Sequence, residues 1–338
     1  MRLWFLPLLF VCVACSEESG VADEQLVSTT HKVDILFSPA GLGDSGYNDI
    51  ILYGIQQSWK QHGFQLEMHQ PNSLEVGWRD YETWLQEEAD PGTDRLFIFA
   101  SNDYEPLLRQ NPPLRQEGKD ILLFEAGSGL EHVQAFKLNM FGASYYIGRL
   151  ASFIAPSAAV VKANPYDVNL TDAEEGFRQG FSAEETKFCE TYYLSDSPSG
   201  GYNNPDSAYY LAFDIYQNHP FIYPLAGGSN MGIYKYTREY PDWAYTAGMD
   251  GDMSDYSVQI ICSLVKRLDL ALEYYVSRWI SGESWGGYEV YGIGSGYVDV
   301  NLSENYVDFF TPFMEGLKEE AIIKEEEYEK SDAIDSVW

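Results

Sequence analysis

The chain has few basic residues for its length. Only 21 Lys and Arg stand against 52 Asp and Glu among 338 residues, a formal net charge of -31 at pH 7. A surface of this sign repels phosphate backbones and anionic head groups, which argues against nucleic acid as a partner. The hydrophobic content of 45% is that of a globular protein, and the length predicts two lobes rather than one core.

Cysteine and histidine are also scarce. Of four cysteines, Cys12 and Cys15 lie near the start, whereas Cys189 and Cys262 each lie in an apolar, strand-like run. We expect the latter two to be buried free thiols, although an extracytoplasmic compartment would permit a disulfide. The five histidines show no metal-ligand spacing, so we expect no metal site.

Catalytic motifs are missing from the sequence. No G-x-S-x-G follows a strand-like run, and no Gly-rich loop ends in Gly-Lys-Ser/Thr. Carboxylates are so numerous that no single pair of them stands out as an acid and base. We therefore expect a protein that is not an enzyme and that needs no cofactor.

The first 31 residues have the pattern of an export signal followed by a tether. Residues 1–15 contain an apolar run too short to span a bilayer, which is typical of a signal peptide. Ala14 before Cys15 predicts lipidation of Cys15 and an anchor in the cell envelope, on the periplasmic face or the outer-membrane surface. Simple cleavage and release to the periplasm is the alternative. Residues 16–31 lack apolar periodicity and predict a flexible tether.

From residue 33 onwards, apolar strand-like runs alternate with helix-like segments. This alternation predicts parallel sheets covered by helices on both faces. It occurs in two similar blocks, which indicates two α/β lobes with a cleft between them. Residues 282–296 are rich in Gly and aromatics without a strand pattern, and residues 307–329 predict an acidic terminal helix.

Two Gly-rich segments follow predicted strands, in opposite halves of the chain. The first, residues 41–49, contains Tyr47 and Asn48, and the second, residues 227–229, follows a strand that contains Tyr223. Ligands bind at such strand ends in open α/β sheets, and two facing rings can sandwich a flat heterocycle. A capped loop and a plain tight turn remain the local alternatives.

Five segments, in order, resemble the basic membrane protein family of substrate-binding lipoproteins. They are residues 37–55, 135–151, 225–232, 247–252 and 263–272. The resemblance implies the type 1 periplasmic-binding-protein fold, in which two doubly wound, Rossmann-like lobes with parallel sheets are joined by three hinge crossings. It implies one lobe of residues 32–137 with 264–284, a second of residues 138–263 with 285–330, and a tail of residues 331–338.

The same resemblance implies a set of ligand-binding residues. They are Ser38, Asp44, Tyr47, Asn48, Glu125, Tyr223, Gly228, Asp250 and Lys266. In the implied site, Tyr47 and Tyr223 stack on a base, Asn48 and Glu125 bond it, and Asp250 and Lys266 hold ribose hydroxyls. Ser38 and Glu125 each stand where the family has Asp, so the kind of ring remains open.

The implied function is capture of a nucleoside-like heterocycle by a monomeric lipoprotein, for uptake through an ABC transporter permease. A flavin or a thiamine-like vitamin is an alternative ligand. A nucleoside-hydrolysing enzyme with Glu125 or Asp250 as general base is an alternative function. A surface lipoprotein with a sensory or adhesive role is a further one.

Overall fold

The structure, a computed structural model, describes residues 28–88, 91–183 and 186–335. These residues form two α/β lobes, and each lobe is built on a six-stranded sheet. The two lobes expected from the repeated alternation are confirmed.

Strands alternate with helices along the chain, as expected for doubly wound lobes. The strands are β1 (Ser28–Leu36), β2 (Phe64–His69), β3 (Asp94–Phe99), β4 (Lys119–Leu123), β5 (Gln134–Leu138), β6 (Ser157–Lys162), β7 (Phe188–Tyr193), β8 (Phe221–Leu225), β9 (Tyr245–Gly248), β10 (Ile260–Lys266), β11 (Gly287–Tyr291) and β12 (Val298–Leu302). The first sheet has the order β11-β5-β4-β3-β1-β2 and the second β12-β10-β9-β8-β6-β7. Neighbouring strands are parallel except for β10 and β12.

The helices cover both sheets. They are α1 (Tyr47–His62), α2 (Leu74–Gln86), α3 (Glu105–Gln110), α4 (Phe141–Ile154), α5 (Val168–Phe181), α6 (Pro205–Ile215), α7 (Asn230–Glu239), α8 (Leu268–Ile280), α9 (Val307–Phe310) and α10 (Leu317–Asp335). In β3, Leu96 and Ile98 pack into one hydrophobic cluster and Phe97 and Phe99 into another. Because both faces of the strand are buried, its sequence is a continuous apolar run rather than an alternating one.

The chain passes between the sheets three times, after β5, after β10 and after β11. Two of the predicted lobe boundaries are therefore displaced. Residues 264–266 still belong to β10 in the second sheet, and β11 joins the first sheet by pairing in parallel with β5. Strand β11 was not predicted, because its residues are at most half-buried and carry no continuous apolar run.

The two ends of the folded region also differ from expectation. Strand β1 begins at Ser28, so residues 28–31 are not part of a tether. The predicted terminal helix is divided into α9 and α10 by a turn that contains Pro312 and Gly316, whose φ is +74°. Helix α10 continues to Asp335, so residues 331–335 are not a tail. The signal segment, Cys15 and residues 16–27 and 336–338 lie outside the described residues.

Two features of the described residues concern cysteine and the membrane. Cys189 and Cys262 are both buried and free, as expected from their apolar surroundings. Within the described ranges, no helix combines the length and apolar character needed to cross a bilayer.

Two glycines bring α4 and α5 into direct backbone contact. A Cβ atom on Gly176 would lie 2.2 Å from the carbonyl oxygen of Phe141, and one on Gly180 would lie 2.1 Å from that of Tyr145. Only glycine permits this approach. The contact fixes the position of α5, whose first turn carries the buried Asn169.

Candidate functional site

A cavity of about 100 Å³ lies between the two lobes, where parallel strands of both sheets end. Eight of the nine predicted ligand-binding residues line it: Ser38, Asp44, Tyr47, Asn48, Glu125, Gly228, Asp250 and Lys266. The geometry therefore brings together side chains up to 228 residues apart, from Ser38 to Lys266.

Tyr223 is the exception, and its predicted place at the ligand is wrong. It lies inside β8 with no exposed surface, and its ring stacks on Phe177 at a centroid distance of 4.6 Å. Its hydroxyl is hydrogen-bonded to that of Ser144 at 2.7 Å. Tyr223 precedes the strand end by two residues and lies deeper in β8 than Leu225, which lines the cavity, so its ring packs in the core of the second lobe.

Tyr202 supplies the aromatic ring that the second lobe contributes to the cavity. It is in the loop between β7 and α6, and its hydroxyl donates to Asp167 Oδ2 at 2.7 Å. Gly200 and Gly201 precede it. A ring directly after glycine at a strand end is the signal that singled out Tyr47, so the same pattern could have identified Tyr202.

The loop at residues 41–49 is shaped by two carboxylates. Asp44 accepts hydrogen bonds from the backbone N–H groups of Gly46, Asn48 and Asp49 and from Asn48 Nδ2. Asp49 in turn accepts from the N–H groups of Gly43 and Ser45. Asp44 therefore caps α1 although it is not the residue adjoining the helix, and it fixes Asn48 at the cavity wall.

Lys266, at the end of β10, is the centre of a buried charge group. Its Nζ is 3.1 Å from Glu125 Oε2 and 3.8 Å from Asp250 Oδ1, and it lies 4.8 Å from the centre of the Tyr47 ring. Burial acts to lower the pKa of Lys266, but the carboxylates of Glu125 and Asp250 raise it above its usual value. The lysine is therefore charged, and one face of Tyr47 is in contact with it.

Burial has the opposite effect on the carboxylate of Asp250. It raises the pKa of Asp250 from 3.8 to about 6, against the lowering influence of Lys266. Glu125 and Asp250 also have left-handed backbones, with φ of +58° and +68°. Such a conformation costs of order 1–3 kcal/mol in a residue other than glycine, and it is concentrated at functional sites.

Ser38, which stands where the resembling family has Asp, is beside a carboxylate after all. Its hydroxyl donates to Asp103 Oδ2 at 2.9 Å, and that of Ser101 donates to the same oxygen at 2.8 Å. Burial raises the pKa of Asp103, whereas these two hydroxyls lower it. The first lobe thus contributes Asp103 from the loop after β3, a residue that sequence reasoning did not select.

Several buried polar atoms at the cavity have no protein partner among the described residues. They are Tyr47 Oη, Asn48 Oδ1 and Asn169 Oδ1. The orientation of both amides is fixed, because Asn48 Nδ2 donates to Asp44 and Asn169 Nδ2 donates to the carbonyl oxygen of Glu125. Buried polar atoms are nearly always satisfied, so these three are positions at which a ligand or an ordered water can form hydrogen bonds.

The lobes touch across the cavity. Asn102 Nδ2 of the first lobe lies 3.3 Å from Asp167 Oδ1 of the second, and Asn169 Nδ2 lies 3.0 Å from the Glu125 carbonyl oxygen. A Cβ on Gly228 would lie 3.5 Å from Asp44 Cβ. The conformation is therefore a closed one.

A second group of polar side chains lies away from the cavity, between β1 and β2. Side-chain atoms of Asp34, Glu67 and His69 that could coordinate a metal ion lie within 4.8 Å of one another. Lys32 Nζ is 2.9 Å from Glu67 and Arg95 is 3.7 Å from Asp34. Because two cationic side chains already neutralise the carboxylates, this group is an ion-pair network.

Comparisons with known proteins agree with this architecture. A model of the family described as "ABC transporter substrate-binding protein PnrA-like" matches residues 32–332. An uncharacterized lipoprotein of Pyrococcus abyssi is 22% identical, over 91% of this chain and 79% of the relative.

Three solved structures share the fold. A solute-binding protein of an ABC transporter system from Aeropyrum pernix K1 matches with a TM-score of 0.70 and 18% identity, over 88% of this chain and 86% of that one. A transcriptional activator of the comK gene from Bacillus halodurans matches at 0.63 and 16%, over 88% and 97%. An ABC transporter solute-binding protein from Burkholderia graminis C4D1M, solved with D-arabinose, matches at 0.60 and 12%, over 81% and 96%. The TM-scores show a common fold, that of type 1 periplasmic-binding proteins.

Proposed function

Because the chain belongs to the PnrA-like family of ABC transporter substrate-binding proteins, we propose that it captures a nucleoside or similar heterocycle for uptake by an ABC importer. The resemblance seen in the sequence is to this same family. One observation carries the proposal, namely the interlobe cavity in which the Tyr47 ring adjoins unpaired amide oxygens of Asn48 and Asn169.

The shape and chemistry of the cavity support a ring with polar substituents. Tyr47 and Tyr202 present aromatic surface from opposite lobes, and stacking on such rings contributes on the order of 1–3 kcal/mol per base. Carboxylates at the cavity can accept hydrogen bonds from sugar hydroxyls. Of these, Asp103 is the best placed to accept from a ligand, because both hydroxyls that donate to it do so at Oδ2.

Delivery to a permease fits a protein that closes around its ligand. A ligand that contacts both lobes favours the closed state, and a permease can bind that state selectively. A lipoprotein relative supports a location outside the cytoplasm. We propose that Cys15, which lies outside the described residues, carries the lipid anchor and that the protein acts as a monomer.

The proposal predicts which aromatic residues govern affinity. Tyr47→Ala and Tyr202→Ala should each weaken binding by roughly tenfold or more, because each removes about 1.4 kcal/mol or more of stacking. The measurement is calorimetric titration of ligand-stripped protein with adenosine, guanosine, inosine and riboflavin. Tyr210→Ala, at a position 71% exposed on α6, is the matched control and should bind as the wild type does.

Native mass spectrometry of the purified protein provides a second readout. We expect a co-purified mass in the range of a nucleoside or a comparable heterocycle, and we expect added nucleosides to be recovered intact. Release of free base would instead support the hydrolase alternative. Full affinity in both cavity variants would contradict the assignment of these rings.

A further inference from the structure

The described residues that line the cavity carry an excess of negative charge. Five are carboxylates, namely Asp44, Asp103, Glu125, Asp167 and Asp250, whereas Lys266 is the one basic residue among them. Lys266 is paired with Glu125 and Asp250, and Asp44 is satisfied by backbone N–H groups of its own loop. Within the described part of the chain, Asp103 and Asp167 are therefore the two carboxylates of the cavity that have neither an ion pair nor, as Asp44 has, three backbone N–H donors.

Asp103 and Asp167 come from opposite lobes, and among the described residues their hydrogen-bond partners are all neutral groups. Asp103 accepts from the hydroxyls of Ser38 and Ser101. Asp167 accepts from the Tyr202 hydroxyl, from the Asn102 amide and, as the N-cap of α5, from the backbone N–H of Asn169. The negative charge of Asp167 acts to raise the pKa of Asp103, and both carboxylates act to raise the pKa of Tyr202. Asp167 also acts on Lys266, whose pKa it helps to raise, but that one cation is already paired with Glu125 and Asp250. Partly buried carboxylates in excess of their cations are costly, and a bound cation would offset that cost.

The unpaired side-chain atoms of the cavity indicate the same kind of ligand. Asn48 and Asn169 are 2% and 4% exposed, and in each the free atom is the amide oxygen, an acceptor. Both orientations are fixed by what the Nδ2 atoms donate to, a carboxylate and a carbonyl oxygen. The third unpaired atom, the Tyr47 hydroxyl oxygen, can donate or accept. The two amide oxygens therefore call for a ligand that supplies N–H or O–H donors.

We propose that the ligand is a cation: a nucleoside-like heterocycle whose positive charge lies between Asp103 and Asp167, with N–H or O–H donors toward Asn48 and Asn169. This inference rests on the proposed function and narrows it. A neutral ring with hydroxyls would satisfy the amide oxygens but would leave the two carboxylates uncompensated. The positive ring charge also favours contact with the Tyr202 face.

The test uses pairs of probes that differ in charge but hardly in shape. The pairs are nicotinamide riboside, a pyridinium cation, with its neutral dihydro form, and 1-methyladenosine, protonated at neutral pH, with adenosine. Calorimetry on ligand-stripped wild-type protein should show the cation of at least one pair binding about tenfold tighter or more, because opposite charges attract strongly in a partly buried site.

Charge-neutral variants locate the effect. Asp103→Asn and Asp167→Asn keep the size of the side chain, and each should weaken binding of the cation more than binding of its neutral partner. Asp242→Asn makes the same charge change on the exposed surface and should leave the preference unaltered. Thermal unfolding of each variant shows whether it is folded.

The outcomes separate this inference from the function on which it rests. Neutral probes that bind as tightly as their cations, or a preference that survives both Asn variants, would overturn the cation assignment and leave a nucleoside receptor. If none of the four probes, the neutral nucleosides or riboflavin binds and no ligand co-purifies, the proposed function fails, and the cation assignment fails with it.

Discussion

At the level of single residues, the buried carboxylate of Asp250 links the site to stability. In the folded protein the carboxyl group of Asp250 has a pKa of about 6, whereas in an unfolded chain its pKa is 3.8. Between these values the folded state binds more protons, so the contribution of Asp250 to stability is present at low pH and is lost as the pH rises. The difference in pKa corresponds to roughly 3 kcal/mol, at about 1.36 kcal/mol per pKa unit.

This behaviour predicts a pH-dependent difference between the wild type and Asp250→Asn. Between about pH 4 and pH 6.5, the free energy of unfolding of the ligand-free wild type should fall relative to that of the variant by up to roughly 3 kcal/mol. Denaturant titrations at a series of pH values measure this difference. Asn suits the position because it tolerates the left-handed backbone found there.

Other carboxyl groups titrate in the same interval, so the comparison must use the difference between the two proteins. Glu325, whose pKa burial raises to about 7, is present in both and cancels. A difference that stays constant across the interval would show that Asp250 is ionised throughout and that Lys266 fully compensates its burial.

Eight of the nine residues implied by the family resemblance line the cavity, although twenty described residues line it in all. The prediction was wrong for the aromatic ring of the second lobe. Tyr223 lies inside its strand, two residues before the strand ends, and the ring at the cavity is that of Tyr202 in a loop. Sequence reasoning also missed Asp103 and Asp167. Each acquires its role from the opposite lobe or from a neighbouring loop, and in a chain with 52 acidic residues neither one is conspicuous.

At the level of elements, close helix packing determines where the site residues of the second lobe stand. Helix α5 can lie against α4 because Gly176 and Gly180 lack a Cβ. The first turn of α5 then carries Asn169 and Leu170 to the cavity. A small change in the separation of these helices would therefore be felt at the ligand.

Replacement of Gly180 by alanine tests this dependence. In an ordinary helix the change stabilises by about 0.5–1 kcal/mol, but here the new Cβ meets the Tyr145 carbonyl oxygen at 2.1 Å. We expect a loss of about 1–3 kcal/mol in the free energy of unfolding and a weaker affinity for the nucleoside that the wild type binds best.

The neighbouring exposed position gives the control. Gln179→Ala, on the same helix, should change stability by no more than about 0.5 kcal/mol and leave affinity intact. Stabilisation by Gly180→Ala would show that the two helices can separate at little cost and that their contact does not position Asn169.

The same scale shows what the sequence could not predict of the fold. Buried strands such as β3 are visible as apolar runs, because both of their faces are covered. Strand β11 is held by backbone pairing with β5 at the edge of the sheet, and backbone hydrogen bonds leave no pattern in the side chains. The third crossing was consequently placed before β11 rather than after it.

At the level of the whole molecule, the fold alone does not specify the function. The same architecture occurs in solute-binding proteins and in a transcriptional activator. What these lobes can do together depends on the contacts made when they close. In this chain the cross-lobe bonds include those of Asn102 and Asn169, which both line the cavity, and the ion pairs of Lys266 with Glu125 and of Lys137 with Asp172.

Closure should therefore be measurable in solution and sensitive to Asn102. Small-angle scattering of the wild type should show a smaller radius of gyration with saturating ligand than without it. Asn102→Ala removes one cross-lobe bond, worth about 0.5–1.5 kcal/mol, and should weaken affinity by roughly two- to tenfold through a smaller closed population.

The control is Asn111→Ala, because Asn111 donates within its own lobe, to the Leu107 carbonyl oxygen. It should match the wild type in scattering and in affinity. If Asn102→Ala acts through closure, its ligand-free form will be at least as open as the wild type and its saturated form equally compact. Identical scattering with and without ligand in the wild type would mean that the lobes do not move and that affinity must come from a preformed cavity.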